Sequence, residues 1–223
     1  MRIGRRRILG YLLSVSFIGR AGAQATLEAL PFSSLKPGTG LPGWLKPVTF
    51  WNRPRHSEFA LVVDEGRTVL RARANASTSG LAREIMVDPR RTPILAWRWK
   101  VMNLIAKSDM ATKDGDDFPA RLYVTFDDPR RSLCYVWDAR RPVGTVAANA
   151  YSDRVQMVVA ASGAAQLGRW VTLERDWTAD YRRAFGGEAT PADGVVVSAD
   201  TDNTGESAES YFGDVVFRSR PTS

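Results

Sequence analysis

The chain has 223 residues, which is enough for one domain with a substantial core. It contains one cysteine and one histidine, which excludes an intrachain disulfide framework and a multi-histidine zinc site. The formal net charge is +7, but five arginines and no acidic residue lie in the first 25 residues. The rest of the chain is therefore nearly balanced, and we expect no nucleic-acid partner.

Residues 1–25 have the pattern of an export signal. A basic segment and a short apolar segment precede Ala23 and Ala25, which form the small-residue pattern of a cleavage site after Ala25. The apolar run is about half the length that a membrane-spanning helix needs, so no membrane span is expected after cleavage. The Arg5-Arg6 pair is also typical of twin-arginine signals. The sequence predicts a bacterial periplasmic or secreted protein and leaves both export routes open.

The remaining chain is predicted to be rich in β-strands. Residues 26–58 are rich in proline and glycine and are expected to form a lead-in with one short strand near 46–51. Residues 59–220 contain short β-rich runs separated by turn residues, at 59–63, 68–74, 81–87, 94–101, 120–127, 133–138, 155–161, 169–175, 195–199 and 211–217. This spacing predicts an all-β, jelly-roll-like antiparallel β-sandwich.

One short helix is predicted after the eighth run. Trp177, Tyr181 and Phe185 recur every four residues, which places them on one helical face. Asp176 can cap the start of this helix, and Gly186 can end it.

Strand alternation sorts the polar residues into faces. If the strands at 94–101, 120–127 and 133–138 are neighbours, one face carries cationic and aromatic side chains. The predicted ligand-binding residues are Arg98, Lys100, Arg121, Tyr123, Tyr135 and Trp137. Aromatic rings stack on the C–H face of a sugar, and guanidinium groups bind carboxylates or sulfates. We therefore expect a glycan ligand, with an acidic one suited to the cations. A half-exposed sheet also carries such residues without any ligand.

Two acidic loops offer ligands for a metal ion. Asp116 and Asp117 precede the strand at 120–127, and Asp200, Asp202 and Asn203 follow the strand at 195–199. Calcium binds several carboxylate, amide and carbonyl oxygens, so calcium is the predicted cofactor. The second loop departs from an EF-hand, because Tyr211 stands where the bidentate glutamate belongs. An Asx-rich turn without metal accounts for the same residues.

Several segments resemble the bacterial "domain of unknown function 3047" family. The matching segments are SGLAREI (79–85), PILAWRWKV (93–101), GDDFPARLYVTFD (115–127), DYRRAFG (180–186) and DTDNTGESAESYFGDVVF (200–217). The resemblance implies a secreted bacterial β-rich domain, and it assigns a role to no residue.

Two other functions are open at this stage. A glycan lyase would use Tyr123 as a base beside Arg98 and Arg121. A hydrolase would set Asp116 or Asp117 against Asp200 or Asp202, with the carboxylates roughly 5–10 Å apart; a closer approach favours a metal. A structural envelope protein would instead show a broad apolar patch around Trp44 or Trp51.

Overall fold

The computed structural model describes residues 25–49, 55–127 and 130–221. All ten predicted β-runs form strands, and the predicted helix forms where expected. The strands are β1 (Thr26–Leu30), β2 (Lys46–Val48), β3 (Glu58–Asp64), β4 (Arg67–Asn75), β5 (Thr78–Val87), β6 (Ile94–Val101), β7 (Arg121–Phe126), β8 (Arg131–Asp138), β9 (Val146–Asn149), β10 (Ser152–Ser162), β11 (Val171–Asp176), β12 (Ala192–Asp200) and β13 (Ser207–Arg218), and the helix is α1 (Trp177–Phe185).

The strands form two sheets that pack as a jelly-roll-like β-sandwich. The first sheet has the order β11-β6-β13-β4-β3, with β1 paired to β13, and the second has the order β2-β5-β12-β7-β8-β10-β9. Paired strands among the described residues run antiparallel except β8 and β10, which are parallel. The predicted fold class, an all-β sandwich with one short helix, is confirmed.

The core between the sheets is dominated by aromatic side chains. Trp97 and Trp99 of the first sheet face Tyr135 and Trp137 of the second. The ring centroids of Trp97 and Tyr135 are 5.2 Å apart, and those of Trp99 and Trp137 are 6.2 Å apart. Large rings in tilted contact bury much apolar area, and Trp97 and Trp99 also meet edge to face. These four rings therefore hold together the two sheets to which β6 and β8 belong.

The described residues between 26 and 49 contribute two strands to the sandwich. Strand β1 pairs with β13 in the first sheet, and β2 pairs with β5 in the second. Phe32, which lies in a short 3₁₀-helix after β1, is fully buried in the core. Strands β1 and β2 thus add to the two sheets, and the predicted domain bounds of 59–220 stay a prediction.

A second apolar cluster covers the outer face of the second sheet. Cys134 and Val136 of β8 and Met157 of β10 pack there against Met110 and Phe118 from the β6–β7 connection. Strand β8 is consequently buried on both faces. The β6–β7 connection also carries Asp116 and Asp117, so this packing fixes the position of the acidic loop.

The helix is capped as the sequence predicts. The carboxylate of Asp176 accepts hydrogen bonds from the backbone N–H groups of Thr178 and Ala179, and Gly186 ends the helix with a φ of 72°. A left-handed backbone of this kind favours glycine. Within the described residues, no helix has both the length and the apolar character that crossing a membrane requires.

Candidate functional site

The six predicted ligand-binding residues do not share one face. Strand β6 lies in the first sheet, whereas β7 and β8 lie in the second. Arg98 and Lys100 are therefore on the outer side of the first sheet, and Arg121 and Tyr123 are on the outer side of the second. The predicted common face is wrong, because alternation defines the two sides of a strand but not the sheet to which the strand belongs.

Tyr135 and Trp137 are fully buried in the core between the sheets. The hydroxyl of Tyr135 donates to the carboxylate of Asp180 at 3.0 Å, and the indole N–H of Trp137 donates to the carbonyl of Gly163 at 3.1 Å. Both polar groups thus have internal partners. These two side chains hold the sheets together and are not accessible for stacking on a ligand.

Arg98 and Lys100 belong to a separate cluster around Trp170. The guanidinium carbon of Arg98 lies 4.4 Å from a ring centroid of Trp170, and the Lys100 ammonium lies 5.4 Å from it. Asp64 accepts from Lys100 Nζ and from the Trp170 indole N–H, each at 2.6 Å. Burial opposes the charge of Asp64, but these hydrogen bonds and the nearby cations lower the pKa of Asp64 below 3.8. Asp64 therefore neutralises one of the two cations of this cluster.

Arg121 lies at the centre of the acidic loops. It is almost fully buried, and its guanidinium bonds Asp200 through Nε at 2.9 Å and through Nη2 at 2.8 Å. Nη2 also bonds the Asp116 carboxylate at 3.1 Å and the Asp116 backbone carbonyl. The planar fork of arginine suits such a double contact. Arg121 therefore ties the end of β12 to the loop before β7.

The carboxylates around Arg121 are crowded. The pKa of Asp200 is raised to about 7, because burial and the neighbouring Asp116 and Asp117 together outweigh the opposing effect of Arg121. Asp117 is fully buried and accepts from the backbone N–H groups of Asn203 and Thr204, at 3.3 and 2.6 Å. The two loops are thus locked to each other by buried charged groups.

A pocket of about 590 Å³ opens next to this cluster, on the outer side of the second sheet. We call it the second-sheet pocket. Its size falls within the range of small-molecule sites in proteins. It is lined by Val48, Thr49, Thr78, Asp116, Arg121, Tyr123, Arg130, Asn149, Tyr151, Ser152, Val155, Asp200, Asp202 and Asn203.

Asn149 and Tyr151 are pocket residues that the sequence analysis missed. The amide of Asn149 donates to Asp116 Oδ2 at 2.7 Å, and the hydroxyl of Tyr151 donates to Asn203 Oδ1 at 3.3 Å. Both residues lie where β9 turns into β10. The sequence analysis predicted no strand at β9, so it gave no indication that this turn lies next to the acidic loops.

Part of the predicted metal-binding set comes together. Carboxylate oxygens of Asp117, Asp200 and Asp202 lie within 4.8 Å of one another. Asp116 is instead engaged by Arg121 and Asn149, and Asn203 contributes a backbone N–H to Asp117. The three grouped carboxylates have the donor chemistry that calcium prefers, although the Arg121 guanidinium already neutralises part of their charge.

The arrangement gives little support to the two kinds of catalysis considered above. Burial raises the pKa of Tyr123 well above its ordinary value of 10.0, whereas a lyase base must lose its proton near neutral pH. Arg98 lies on the other sheet and cannot assist Tyr123. Carboxylate oxygens of Asp117, Asp200 and Asp202 lie within 4.8 Å of one another, just below the roughly 5–10 Å between the carboxyl groups of a hydrolase pair.

The apolar patch expected of a structural envelope protein is not seen among the described residues. Trp44 is partly buried against the core, and the guanidinium carbon of Arg83 lies 4.7 Å from its ring centroid. Trp51 lies outside the described residues. The exposed large apolar side chains are Val63, Met86, Met102 and Val143, which come from four different segments of the chain.

Comparison with solved structures finds family 29 carbohydrate-binding modules. A variant of the module CBM29-2 complexed with cellulohexaose is 10% identical with a TM-score of 0.41, and the match covers 87% of this chain and 91% of that chain. A second variant, complexed with mannohexaose, is 11% identical with a TM-score of 0.39 and covers 87% and 92% of the two chains. Likeness at this level is too weak to indicate what the present chain binds.

Comparison with curated proteins gives no match. A family model described as "Protein of unknown function (DUF3047)" matches residues 42–216. These residues include every strand from β2 to β12 and most of β13, together with all the side chains of the second-sheet pocket. The chain therefore belongs to the DUF3047 family, as the quoted sequence segments indicate.

Proposed function

We propose that this protein binds a glycan reversibly in the second-sheet pocket. The observation that carries the proposal is the composition of the pocket: carboxylate, amide and guanidinium groups converge there with the rings of Tyr123 and Tyr151. The ligand class is the one that the sequence indicates, but the binding site is a different one. Binding was expected on a broad face, and we now assign it to a concave pocket.

The polar groups match the hydrogen-bonding capacity of sugar hydroxyls. Each hydroxyl can donate one hydrogen bond and accept others. Carboxylates such as Asp202 accept, while an amide such as Asn149 both donates and accepts. The tyrosine rings present flat apolar surface to the C–H groups of a sugar ring, and their hydroxyls supply polar contacts at the ring edge. A mixed lining of this kind favours a ligand with alternating apolar and hydroxyl surfaces.

The pocket is held in shape before a ligand arrives. Arg121 joins the two acidic loops through buried charged contacts, and Asn149 joins the β9–β10 turn to Asp116. A preformed site loses less conformational entropy on binding than a mobile one. This rigidity supports the pocket as a binding site rather than an accidental gap between loops.

Isothermal titration calorimetry against a panel of neutral and acidic oligosaccharides tests the proposal. We expect Asn149→Ala and Tyr151→Ala to weaken binding about tenfold or more, because each removes a direct polar or stacking contact. The matched control is Arg98→Ala, which changes the cation cluster on the other sheet and should bind as wild type does. Equal effects of all three changes would contradict the assignment. A reducing-end assay on the same mixtures should detect no product, and product formation would favour an enzyme.

Calcium binding is a second proposal, supported by the grouping of Asp117, Asp200 and Asp202. Thermal unfolding in calcium chloride, magnesium chloride and chelator tests it. A rise in melting temperature specific to calcium is expected in the wild type and should be lost in Asp202→Asn, which removes a ligand charge without changing the size of the side chain. Unchanged melting in calcium would contradict a calcium site at these carboxylates.

Export from the cytoplasm is also a proposal, because residues 1–24 lie outside the described part of the chain. It rests on the basic and apolar segments and the Ala23-Gln24-Ala25 pattern. Mass spectrometry of the protein from the periplasmic and extracellular fractions should find an N-terminus after Ala25. An intact N-terminus in the cytoplasm would contradict it.

A further inference from the structure

The guanidinium of Arg98, on the outer side of the first sheet, has no acidic partner of its own. Asp64 pairs with Lys100 and accepts from the indole N–H of Trp170. Arg98 lies near enough to interact with the charge of Asp64, but no hydrogen bond joins the two groups. In the ranges that the structure describes, the half-buried side chain of Arg98 donates no hydrogen bond and joins no ion pair. Its N–H groups can therefore bind an acceptor from outside the protein.

The position of Arg98 is fixed by a glycine and a tryptophan. A Cβ atom at Gly213 would lie 2.5 Å from Arg98 Cγ and 2.6 Å from Arg98 Nε, so the arginine lies directly against the backbone of β13. The register of β13 against β6 shifts here, between Phe212 and Val215. The ring centroid of Trp170 lies 4.4 Å from the guanidinium carbon. A guanidinium stacked on a ring keeps its edge N–H groups available for a carboxylate.

Arg98 lines a small pocket on the outer side of the first sheet, with a volume of about 200 Å³. We call it the Arg98 pocket. Arg67 of β4 brings a second guanidinium, and Thr172 of β11, which pairs with Arg98 across the strands, brings a hydroxyl group. Ala96 and Val216, which pair with each other, supply apolar surface. The pocket therefore combines cationic and hydroxyl donors with a patch of apolar surface.

The Arg98 pocket carries one positive charge in excess. Asp214 is the one carboxylate that lines it in the described part of the chain. This carboxylate accepts hydrogen bonds from the backbone N–H and the hydroxyl of Ser33, at 2.7 and 2.5 Å, and joins no ion pair with a described residue. Two guanidinium groups thus face one carboxylate, and like charges close together repel each other. A bound monoanion would balance the charges of the pocket.

We infer that the Arg98 pocket binds the carboxylate group of a compact organic acid. The planar fork of Arg98 matches the two oxygens of a carboxylate. Arg67 adds a second positive charge, and Thr172 donates from its hydroxyl group. The carbon chain of the acid lies on Ala96 and Val216, so the apolar part of the ligand is also removed from water.

The volume of the Arg98 pocket sets the size of this ligand. About 200 Å³ corresponds to roughly seven water molecules at about 30 Å³ each, which suits an acid of a few carbon atoms and is too small for a sugar chain. The inference is therefore independent of the proposed function, whose site lies on the other sheet. The sequence analysis expected Arg98 to bind an anionic group of a glycan, and the inference keeps the anion but assigns it to a smaller ligand.

An NMR titration of the isotope-labelled protein with sodium propanoate tests the inference. Propanamide is the matched neutral probe, because it has nearly the same size and shape without the charge, and sodium chloride at equal ionic strength controls for salt. Propanoate should shift the Arg98 Nε–H and Trp170 indole N–H signals saturably, with a Kd of about 1–10 mM. The two controls should not. Equal shifts with propanamide, or no saturable shift with propanoate up to about 100 mM, would overturn the inference.

Two variants test the charge and the position of Arg98. Arg98→Gln should raise the Kd for propanoate about tenfold or more, as followed by the Trp170 signal. Gly213→Ala keeps the charge of Arg98 but displaces its side chain, so it should weaken binding to a similar degree in protein whose core amide signals show the native fold. Wild-type affinity in either variant would overturn the inference, and Arg98→Gln alone decides if Gly213→Ala does not fold.

Two further variants are controls. Arg154→Gln removes an exposed arginine of the second sheet and should bind propanoate as wild type does; a loss equal to that of Arg98→Gln would show a general effect of charge and overturn the inference. Asn149→Ala, which should weaken glycan binding, should also bind propanoate as wild type does. A loss in Asn149→Ala would place the acid in the second-sheet pocket instead. The Arg98 pocket and the glycan site can therefore fail independently.

Discussion

Replacement of Arg121 by methionine should destabilise the protein strongly. The guanidinium is the cation that faces the buried Asp116 and Asp200, with contacts of 2.8 to 3.1 Å. Removing one partner from a buried ion pair costs about 3–5 kcal/mol, because the remaining charge is left without compensation. For a domain of this size, about 2–4 °C is lost per kcal/mol, so Arg121→Met should lower the melting temperature by about 6–20 °C.

Urea unfolding followed by tryptophan fluorescence measures this loss, provided that the slope of free energy against urea stays unchanged. Arg121→Lys should show a smaller loss, because lysine keeps the charge but not the fork that reaches both carboxylates. Arg169→Met is the matched surface control and should change stability by less than about 0.5 kcal/mol. A loss below about 1 kcal/mol in Arg121→Met would show that the two acidic loops are not held by this arginine, and would refute the reasoning.

Three further predictions concern other parts of the fold. In the folded protein, the pKa of Asp64 is lowered from its ordinary value of 3.8. The stabilising effect of the Asp64 charge is therefore complete above the unfolded-state pKa and is lost as the pH falls through the folded-state pKa. The difference in melting temperature between wild type and Asp64→Asn should therefore disappear in acid. Asp176→Ala removes the cap of α1 and should cost about 1 kcal/mol in urea unfolding, whereas no loss would show that the cap is dispensable. Gly115→Ala places a Cβ 2.7 Å from the backbone nitrogen of Asp109, so it should lower both melting temperature and glycan affinity; unchanged affinity would show that this loop does not shape the pocket.

The sequence predicts the secondary structure of this protein well, because its short strands are β-branched or aromatic and are separated by clear turn residues. The helix at 177–185 follows from a four-residue aromatic spacing and a capping aspartate. Strand β9 was missed because VAAN is short, with two alanines and an asparagine that favour no strand. Strand β1 was missed because the surrounding proline and glycine residues obscured it.

The site is harder to predict, because it depends on which sheet each strand joins. Strand alternation correctly places Tyr135 and Cys134 on opposite sides of β8. Both sides of β8 are buried, however, so neither side is exposed to a ligand. The acidic loops were recognised from their residue types. The sequence did not predict that Arg121 anchors these loops, because a buried arginine in a strand has the same sequence signal as an exposed one.

An NMR titration of the isotope-labelled domain with an oligosaccharide that binds it would test the central claim most directly. We predict that amide shifts concentrate at residues 116–123, 149–155 and 200–204, which surround the second-sheet pocket. Shifts confined to the opposite sheet, around Arg98, Lys100 and Trp170, would contradict the assignment of the pocket as the ligand site.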